Sequence, residues 1–350
     1  MIRVEPDAAM QVTNQTPWAS LAFERRTPRD EPLLVAVLQG RFELRDGYVA
    51  RAFAAQGEVD LTDTFRGDPR TTSLRREGAL ATYKPATDVH VDAVARAPGN
   101  VPSAAWTPRI AVGERVMDLR VTGPRWWRHR DGRWQLTPVE PCAEVELSWE
   151  NAFGGAHIVD GARVAEERNP LGTGLLPPGL RTDADVRAPQ VLHPGDPTEL
   201  VAGERYAPHG CAPLGRDTAW RLPYAGTYDE RWRRERWPRL PDDFDARFYN
   251  SAHPSLVCAP WLRGDERIGL RHLTPEGEFR TALPGVGCAL DVYDDLGRAE
   301  AVPMPLDTIH LDVASPGART LTLTWRACVP MRDGLSRAVA RPTEGVAHHG

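Results

Sequence analysis

The chain has 350 residues, of which 41% are hydrophobic, enough for one large core or two ordinary ones. Its net charge of −5 argues against general affinity for DNA, RNA or anionic membranes. No apolar run is long enough to span a bilayer, and the N-terminus lacks the basic-then-apolar layout of a signal peptide. We therefore predict a cytoplasmic protein without a nucleic-acid partner and without membrane insertion.

The cysteines and the single lysine are the unusual features of the composition. No metal-site spacing connects the five cysteines, so we expect reduced, mostly buried thiols at Cys142, Cys211, Cys258, Cys288 and Cys328. Lys84 is the only lysine in a chain that otherwise uses arginine. Two interpretations stay open: the position requires a compact ammonium group, or the lysine was retained by chance.

Residues 1–150 read as a β-rich part. An apolar run over 33–44 leads into Asp46-Gly47, which predicts a short hairpin, and Asp131-Gly132 predicts a second one. Alternating patterns from Asp88, from Arg109 and up to Trp149 predict further strands.

Residues 151–265 form a loop-rich middle part in which proline and glycine interrupt every periodic pattern. Within it, 225–252 is the densest in charge, and we predict a helix over 228–237. Thr227 and Glu230 have the spacing of a capping box, and Pro238 ends the helix. Tyr228 and Trp232 share one helix face. We expect this segment to be a helix–turn–strand brace that holds the loops on the sheets.

Alternation returns over 266–330, where we predict strands that join the core, and 331–350 reads as a frayed polar tail. The predicted class is mainly β: one or two antiparallel sandwich-like sheets with a long irregular middle region and a short helix.

Candidate catalytic groups have simpler structural explanations. Asp242, Asp243 and Asp245 lack the spacing and glycine of a calcium loop, and helix caps or turns account for them better than catalysis. The glycine loops at 152–155 and 172–174 lack a nucleotide-binding pattern. The histidines are scattered, and the adjacent His348 and His349 lie at the predicted frayed end. We therefore predict no catalytic residue, no cofactor and no metal site.

A basic, aromatic hairpin is the best candidate surface for a partner. Tryptophan and arginine are over-represented in protein-binding hot spots, and the acidic net charge disfavours nucleic acid here. The predicted partner-binding residues are Trp126, Trp127, Arg128, Arg130, Trp134 and, separately, Lys84. The loops of 151–221 are the second candidate surface.

Seven phrases together resemble a known family. They are NQTPW at Asn14, YKPATDV at Tyr83, WENAFGG at Trp149, NPLGTG at Asn169, the 225–252 segment, LRGDE at Leu262 and LDTIHLD at Leu306. In this order they resemble a bacterial domain-of-unknown-function family found in type VI secretion effector clusters. The resemblance covers roughly residues 10 to 330. Its core signature is Thr227, Tyr228, Asp229, Glu230, Trp232, Trp237, Pro238, Pro241, Asp242, Asp243, Phe244, Asp245 and Asn250.

The resemblance implies a non-enzymatic adaptor or chaperone, because members are understood to help load an effector onto the secretion spike of VgrG and PAAR proteins. No catalytic residues are established for the family. Two alternatives stay open. One is a carbohydrate- or peptidoglycan-acting hydrolase that uses Glu150 or the acidic cluster, and the other is a structural part of the secreted particle.

Overall fold

The computed structural model describes residues 11–343 except 316 and 318, and within them strands predominate. The first half of the chain contains β1 (Gln11–Asn14), β2 (Ala19–Arg26), β3 (Pro32–Glu43), β4 (Arg51–Ala52), β5 (Thr64–Phe65), β6 (Leu74–Arg76), β7 (Thr87–Asp92), β8 (Val94–Arg96), β9 (Ala105–Trp106), β10 (Arg109–Val112), β11 (Arg115–Asp118), β12 (Arg120–Thr122), β13 (Trp126–Arg130), β14 (Arg133–Leu136), β15 (Glu144–Glu146), β16 (Phe153–Gly154), β17 (Ala156–Val159) and β18 (Ala162–Ala165).

The second half contains β19 (Thr173–Gly174), β20 (Val186–Arg187), β21 (Val191–Leu192), α1 (Glu230–Glu235), β22 (Val257–Cys258), β23 (Arg267–Arg271), β24 (Glu278–Ala282), β25 (Gly287–Asp294), β26 (Ala299–Met304), β27 (Leu306–Asp312), β28 (Thr320–Pro330) and β29 (Leu335–Thr343). Five short 3-10 helices lie at Pro98–Asn100, Trp149–Asn151, Leu222–Tyr224, Ala246–Tyr249 and Pro254–Leu256. In the part of the chain that the structure describes, no helix has the length and apolar character needed to cross a membrane.

The largest sheet joins the two ends of the chain, as the sequence predicted. Its strand order is β2-β3-β28-β27-β7-β22, with β4 paired to β3. The β7–β27 pair is parallel and its other pairs are antiparallel, so the sheet is mixed. Two four-stranded sheets, β1-β29-β25-β26 and β11-β10-β23-β24, accompany it together with smaller two- and three-stranded sheets. The predicted mainly β class is confirmed.

The three larger sheets share one hydrophobic core. Leu323 and Trp325 of β28 lie in it together with Ile110 of β10 and Leu290 of β25. Trp18 stacks on Trp325 with ring centroids 6.0 Å apart, and the Asn14 side-chain amide donates to the Trp18 carbonyl oxygen. Residues 33–38 of β3 are all apolar, and over 34–38 alternate side chains enter two different clusters.

The second Asp-Gly hairpin is confirmed, whereas the first forms with a longer loop than the predicted short turn. Asp131 and Gly132 both adopt positive φ, at 49° and 74°, as a two-residue turn between β13 and β14 requires. After β3, by contrast, the chain runs through residues 44–50 before β4 pairs antiparallel with the end of β3. Asp46 accepts a hydrogen bond from the Arg280 amide, and the Ala50 amide donates to Ala282, so this segment follows β24 instead.

The predicted helix is shorter than expected, at Glu230–Glu235. Asp229, not Thr227, is its N-cap and accepts a hydrogen bond from the Trp232 amide at 2.7 Å. The capping box is therefore wrong, because both polar groups of Thr227 donate to Asp243 instead. The segment then continues through two 3-10 helices to β22, so a brace of short helices replaces the predicted helix–turn–strand.

The predicted C-terminal tail is wrong for residues 335–343. They form β29, which pairs with β1 and β25, and Ala338 and Ala340 are buried in the main core. His348 and His349 lie outside the described residues.

Candidate functional site

One face of the large sheet is polar and nevertheless buried. Along β7, Val89 and Val91 enter the hydrophobic core, whereas Asp88, His90 and Asp92 lie on the opposite face, with 0–1% exposure. The neighbouring strands continue this face with His310 of β27 and with Thr322, Thr324 and Arg326 of β28. Groups from 58–84 and from 221–251 cover it. We call this surface the polar face.

Lys84 lies at the centre of the polar face with 4% exposure. Its Nζ is 2.8 Å from Asp88 Oδ2 and 3.0 Å from Glu77 Oε2. Burial opposes the charged ammonium, but Asp88 and Glu77 outweigh it and raise the pKa of Lys84 above its usual value. The sequence-based assignment of Lys84 to a partner-binding surface is therefore wrong, since its side chain is enclosed by the protein.

A second cation balances the charge of this cluster. Burial opposes ionisation of Glu77, yet Lys84 and Arg221 hold its pKa well below the usual range. The Arg221 Nη1 donates to Glu77 Oε1 at 3.0 Å, and Arg221 is 2% exposed. Two carboxylates and two cations thus lie together, which is how buried charges are tolerated in proteins.

His90 and Ser251 complete the cluster as neutral groups. Ser251 Oγ donates to Glu77 Oε2 at 2.6 Å and lies 3.1 Å from His90 Nε2, so the histidine Nε2–H donates to the serine. Burial lowers the pKa of His90 to about 4. The nearby cavity measures about 20 Å³, room for about one water molecule. Ser251 is 0% exposed and His90 is 1% exposed, so the protein encloses their contact.

A further buried pair extends the polar face. Arg326 donates to Asp307 Oδ2 at 2.6 Å and to the carbonyl oxygen of Ala79 at 2.9 Å, with the arginine and the aspartate both under 3% exposed. Asp92 accepts hydrogen bonds from Arg66 and Arg75. The covering segment is thereby tied to the sheet by charge-assisted hydrogen bonds.

The family-like phrases coincide with these contacts. Asn250 donates to Ala86 O and Asp88 Oδ1, joining the 225–252 segment to the YKPATDV phrase. Thr87 of that phrase donates to the carbonyl oxygen of Leu306, where LDTIHLD begins. Most of these phrases therefore identify positions that hold the fold together.

WENAFGG and NPLGTG lock together in the same way. Asn169 Nδ2 donates to the carbonyl oxygens of Trp149 and Phe153 at 2.8 and 3.0 Å. A Cβ on Gly154 or on Gly172 would overlap the backbone or side chain of Asn169. Both glycines are required by this close approach rather than by a bound nucleotide.

The acidic cluster of the 225–252 segment binds its own chain. Asp243 accepts from Thr227, Asp245 accepts from the Arg247 amide as the cap of a 3-10 helix, and Asp242 pairs with Arg236 at 2.8 Å. These carboxylates serve as the caps and turns that the sequence predicted.

The aromatic groups of the segment fall into two sets. Tyr228 and Trp232 contact each other with ring centroids 4.6 Å apart, although Tyr228 lies before the helix and the two do not share a helix face as predicted. Trp237 is 68% exposed. Phe244 packs on Phe248 and Tyr249 behind the buried Pro241.

Glu150, the other candidate acid of the hydrolase hypothesis, is also engaged. It accepts hydrogen bonds from the Ser73 amide and hydroxyl at 2.6 and 2.8 Å. Burial opposes ionisation, but these hydrogen bonds lower the pKa of Glu150. A general acid of a glycosidase needs the opposite shift.

The basic, aromatic hairpin is split by burial. Trp127 is 3% exposed and packs with Phe153 and Leu175 in a second core cluster, so it cannot be a surface anchor. Trp126 and Trp134 are half-buried. Arg130 is exposed at the tip, while the exposed Arg128 pairs with Asp185 at 2.8 Å.

An open groove of about 390 Å³ lies beside this hairpin. We call it the hairpin groove. It is lined by His129, Gly132, Trp134, Leu176, Pro177, Pro178, Gly179, Leu180, Arg181, Ala202 and Gly203. The groove joins the two surfaces that the sequence singled out, the hairpin and the 151–221 loops. Sequence reasoning missed Arg181 because no local pattern distinguishes it from other loop arginines.

Histidines and cysteines form no metal site among the residues described. Three histidine rings nevertheless contact one another edge to face: His209 lies between His193 and His253, with ring centroids 4.9 and 5.0 Å apart. Their sequence spacing did not reveal this. The Nδ1 atoms of His193 and His253 accept backbone hydrogen bonds and are not free for a metal. Cys211, Cys258 and Cys288 are buried, Cys142 and Cys328 partly so, and all five are free thiols.

No curated protein and no solved structure matched the chain. A family model described as "Uncharacterized protein conserved in bacteria (DUF2169)" matches residues 29–326. That range covers most of the chain and includes every phrase named above except the one at Asn14. The chain therefore belongs to this bacterial family.

Proposed function

We propose that the protein is a cytoplasmic, non-enzymatic adaptor of type VI secretion. It binds an effector, or a PAAR or VgrG spike component, and assists its loading. The hairpin groove is the observation that supports this best. It combines the half-buried aromatic surface of Trp134 with Arg181, which has no acidic partner among the described residues, and tryptophan and arginine are enriched in protein-binding hot spots.

The polar face supports the same function as a scaffold. Its paired charges and hydrogen bonds tie residues 58–84 and 221–251 to the sheet. A binding surface formed by loops keeps its shape only when such contacts fix the loops. The acidic residues of the rival hydrolase hypothesis already form hydrogen bonds and ion pairs within the chain.

Co-purification with the effector encoded beside the gene tests this proposal. We expect a stable complex from cells that express both proteins, and reduced secretion of that effector in a deletion strain. Absence of a complex together with unchanged secretion would contradict the proposal. Recovery of the protein among secreted material would instead favour a structural component of the particle.

The hydrolase alternative has its own test. Purified protein is incubated with peptidoglycan and with β-linked oligosaccharides, and released reducing ends are measured. Our proposal predicts no release above that of a Glu150→Gln variant. Turnover by the wild type that this variant loses would favour the hydrolase.

A further inference from the structure

The floor of the hairpin groove is apolar. Leu176 and Pro177 are buried beneath it, and Trp134 and Leu180 are half-buried along it. Trp134 and Leu180 also pack against the second core cluster, which fixes their positions. A preformed apolar floor favours an aliphatic side chain of a partner, because burying it removes apolar surface from water.

The rim of the groove carries hydrogen-bond donors without acceptors. Within the described residues, neither the Arg181 guanidinium nor the Trp134 indole N–H has a protein partner, and His129 lies against Trp134 with centroids 5.0 Å apart. No carboxylate lines the groove. This differs from Arg128 on the same hairpin, which Asp185 already neutralises.

We propose that the hairpin groove binds a short extended segment of the partner that carries one or two carboxylates beside an aliphatic side chain. The aliphatic group lies on the floor formed by Trp134, Leu176 and Leu180, and a carboxylate accepts from Arg181. The inference rests on the proposed adaptor function and names the chemistry of its partner. Arg181 is suited to this role because its fork binds carboxylates in a bidentate manner.

The balance of charge favours such a segment over a nucleic acid. The exposed basic groups of this region are interspersed with exposed acids: Asp131 lies in the hairpin turn, and Asp185 pairs with Arg128. The continuous phosphate backbone of RNA needs several unopposed cations. One or two carboxylates need only the guanidinium of Arg181.

The first test titrates the neighbouring gene's effector into the full-length protein by calorimetry. We expect Arg181→Glu to weaken binding at least about tenfold and Arg181→Lys to weaken it less. Arg280→Glu on β24, also exposed, is the matched control and leaves binding unchanged. If the effector binds and Arg181→Glu binds it as tightly as the wild type, the groove inference is overturned while the adaptor function stands.

A second test does not depend on the effector. A labelled nine-residue peptide with two aspartates around a leucine–proline core is compared, by fluorescence anisotropy, with a counterpart carrying asparagines. We expect the acidic peptide to bind at least about tenfold more tightly, and Arg181→Glu to abolish the difference. Equal binding of the two peptides, or no saturable binding, would contradict the inference. If the protein binds the acidic peptide more tightly but forms no complex with the effector, the adaptor function is refuted and the groove inference stands.

Discussion

The polar face and the hairpin groove contain similar residue types and differ in how their charges are paired. Around Lys84, each of the four charged groups has an opposite partner and several have a backbone partner as well. Around Arg181, the donors have no acceptor among the described residues. The first arrangement is complete within the chain, whereas we propose that the second is completed by a partner molecule. On this proposal, the pairing of charges, rather than composition, distinguishes the scaffold from the binding surface.

Removing the central cation of the polar face is the change with the largest expected effect. Lys84→Met leaves Glu77 and Asp88 buried with one fewer cation, which costs about 3–5 kcal/mol of unfolding free energy. Urea denaturation followed by tryptophan fluorescence measures the loss. The control is Arg181→Met, which removes a cation from the groove and should change stability by less than about 0.5 kcal/mol. Equal losses of unfolding free energy for the two variants would contradict the claim that the charges of the polar face are paired and those of the hairpin groove are not.

Lowering the pH should have the second largest effect, because it lowers the unfolding free energy through His90 of the polar face. The folded pKa of His90 is about 4 against a usual 6.5, so the unfolded chain binds more protons between these values. This contribution is fully present above pH 6.5 and is lost as the pH falls towards 4, by about 3 kcal/mol. His253, whose pKa burial lowers to about 3, acts in the same direction.

Denaturation midpoints between pH 4 and 8 measure this slope. A His90→Gln variant should show a shallower slope than the wild type, even if its stability at pH 8 is lower. An identical slope in the two proteins would show that His90 does not titrate as its burial requires.

Asn169→Ala tests the contact between two family phrases. It removes the Asn169 amide hydrogen bonds to Trp149 O and Phe153 O, so that Trp149 O keeps only the Ala152 amide as donor, and should cost about 2 kcal/mol. Thermal unfolding monitored by circular dichroism checks the loss. Gln135→Ala, at an exposed position of β14, is the comparison. An Asn169→Ala protein as stable as the wild type would mean that these phrases do not lock each other.

The smallest effect concerns the helix cap in the 225–252 segment. Asp229→Ala removes the hydrogen bond to the Trp232 amide and should lower the unfolding free energy by about 1 kcal/mol or less. Glu230→Ala should change little, because the capping box is not formed. A larger loss of unfolding free energy for Glu230→Ala than for Asp229→Ala in denaturant titrations would indicate that the capping box and the longer helix do form.

Much of the fold could be predicted from local patterns. The strands around Val89, Ile309 and Leu323 follow clean alternation, and Asp131-Gly132 specified its turn. The polar face could not be predicted in this way, because Asp88 and His90 alternate with valines as residues of a solvated face would. They are buried by 58–84 and 221–251, whose contacts with the sheet join residues far apart in sequence, such as Ser251 and Asp88.

The candidate site was predictable in part for the same reason. The hairpin was visible in the sequence, but burial of Trp127 depends on Phe153 and Leu175, and the groove depends on Leu176 and Arg181. The single lysine, Lys84, did indicate an unusual position, but its assignment to a partner-binding surface was wrong. Its compact ammonium lies between Glu77 and Asp88, as expected if the position requires a lysine.

Hydrogen–deuterium exchange of the protein with and without the effector tests the central claim most directly. We predict new protection in 126–136 and in 176–181 on binding, with the polar-face strands β7 and β27 equally slow in both states. Unchanged exchange at the hairpin groove, with protection arising in 225–252 instead, would contradict the assignment of the groove as the binding surface.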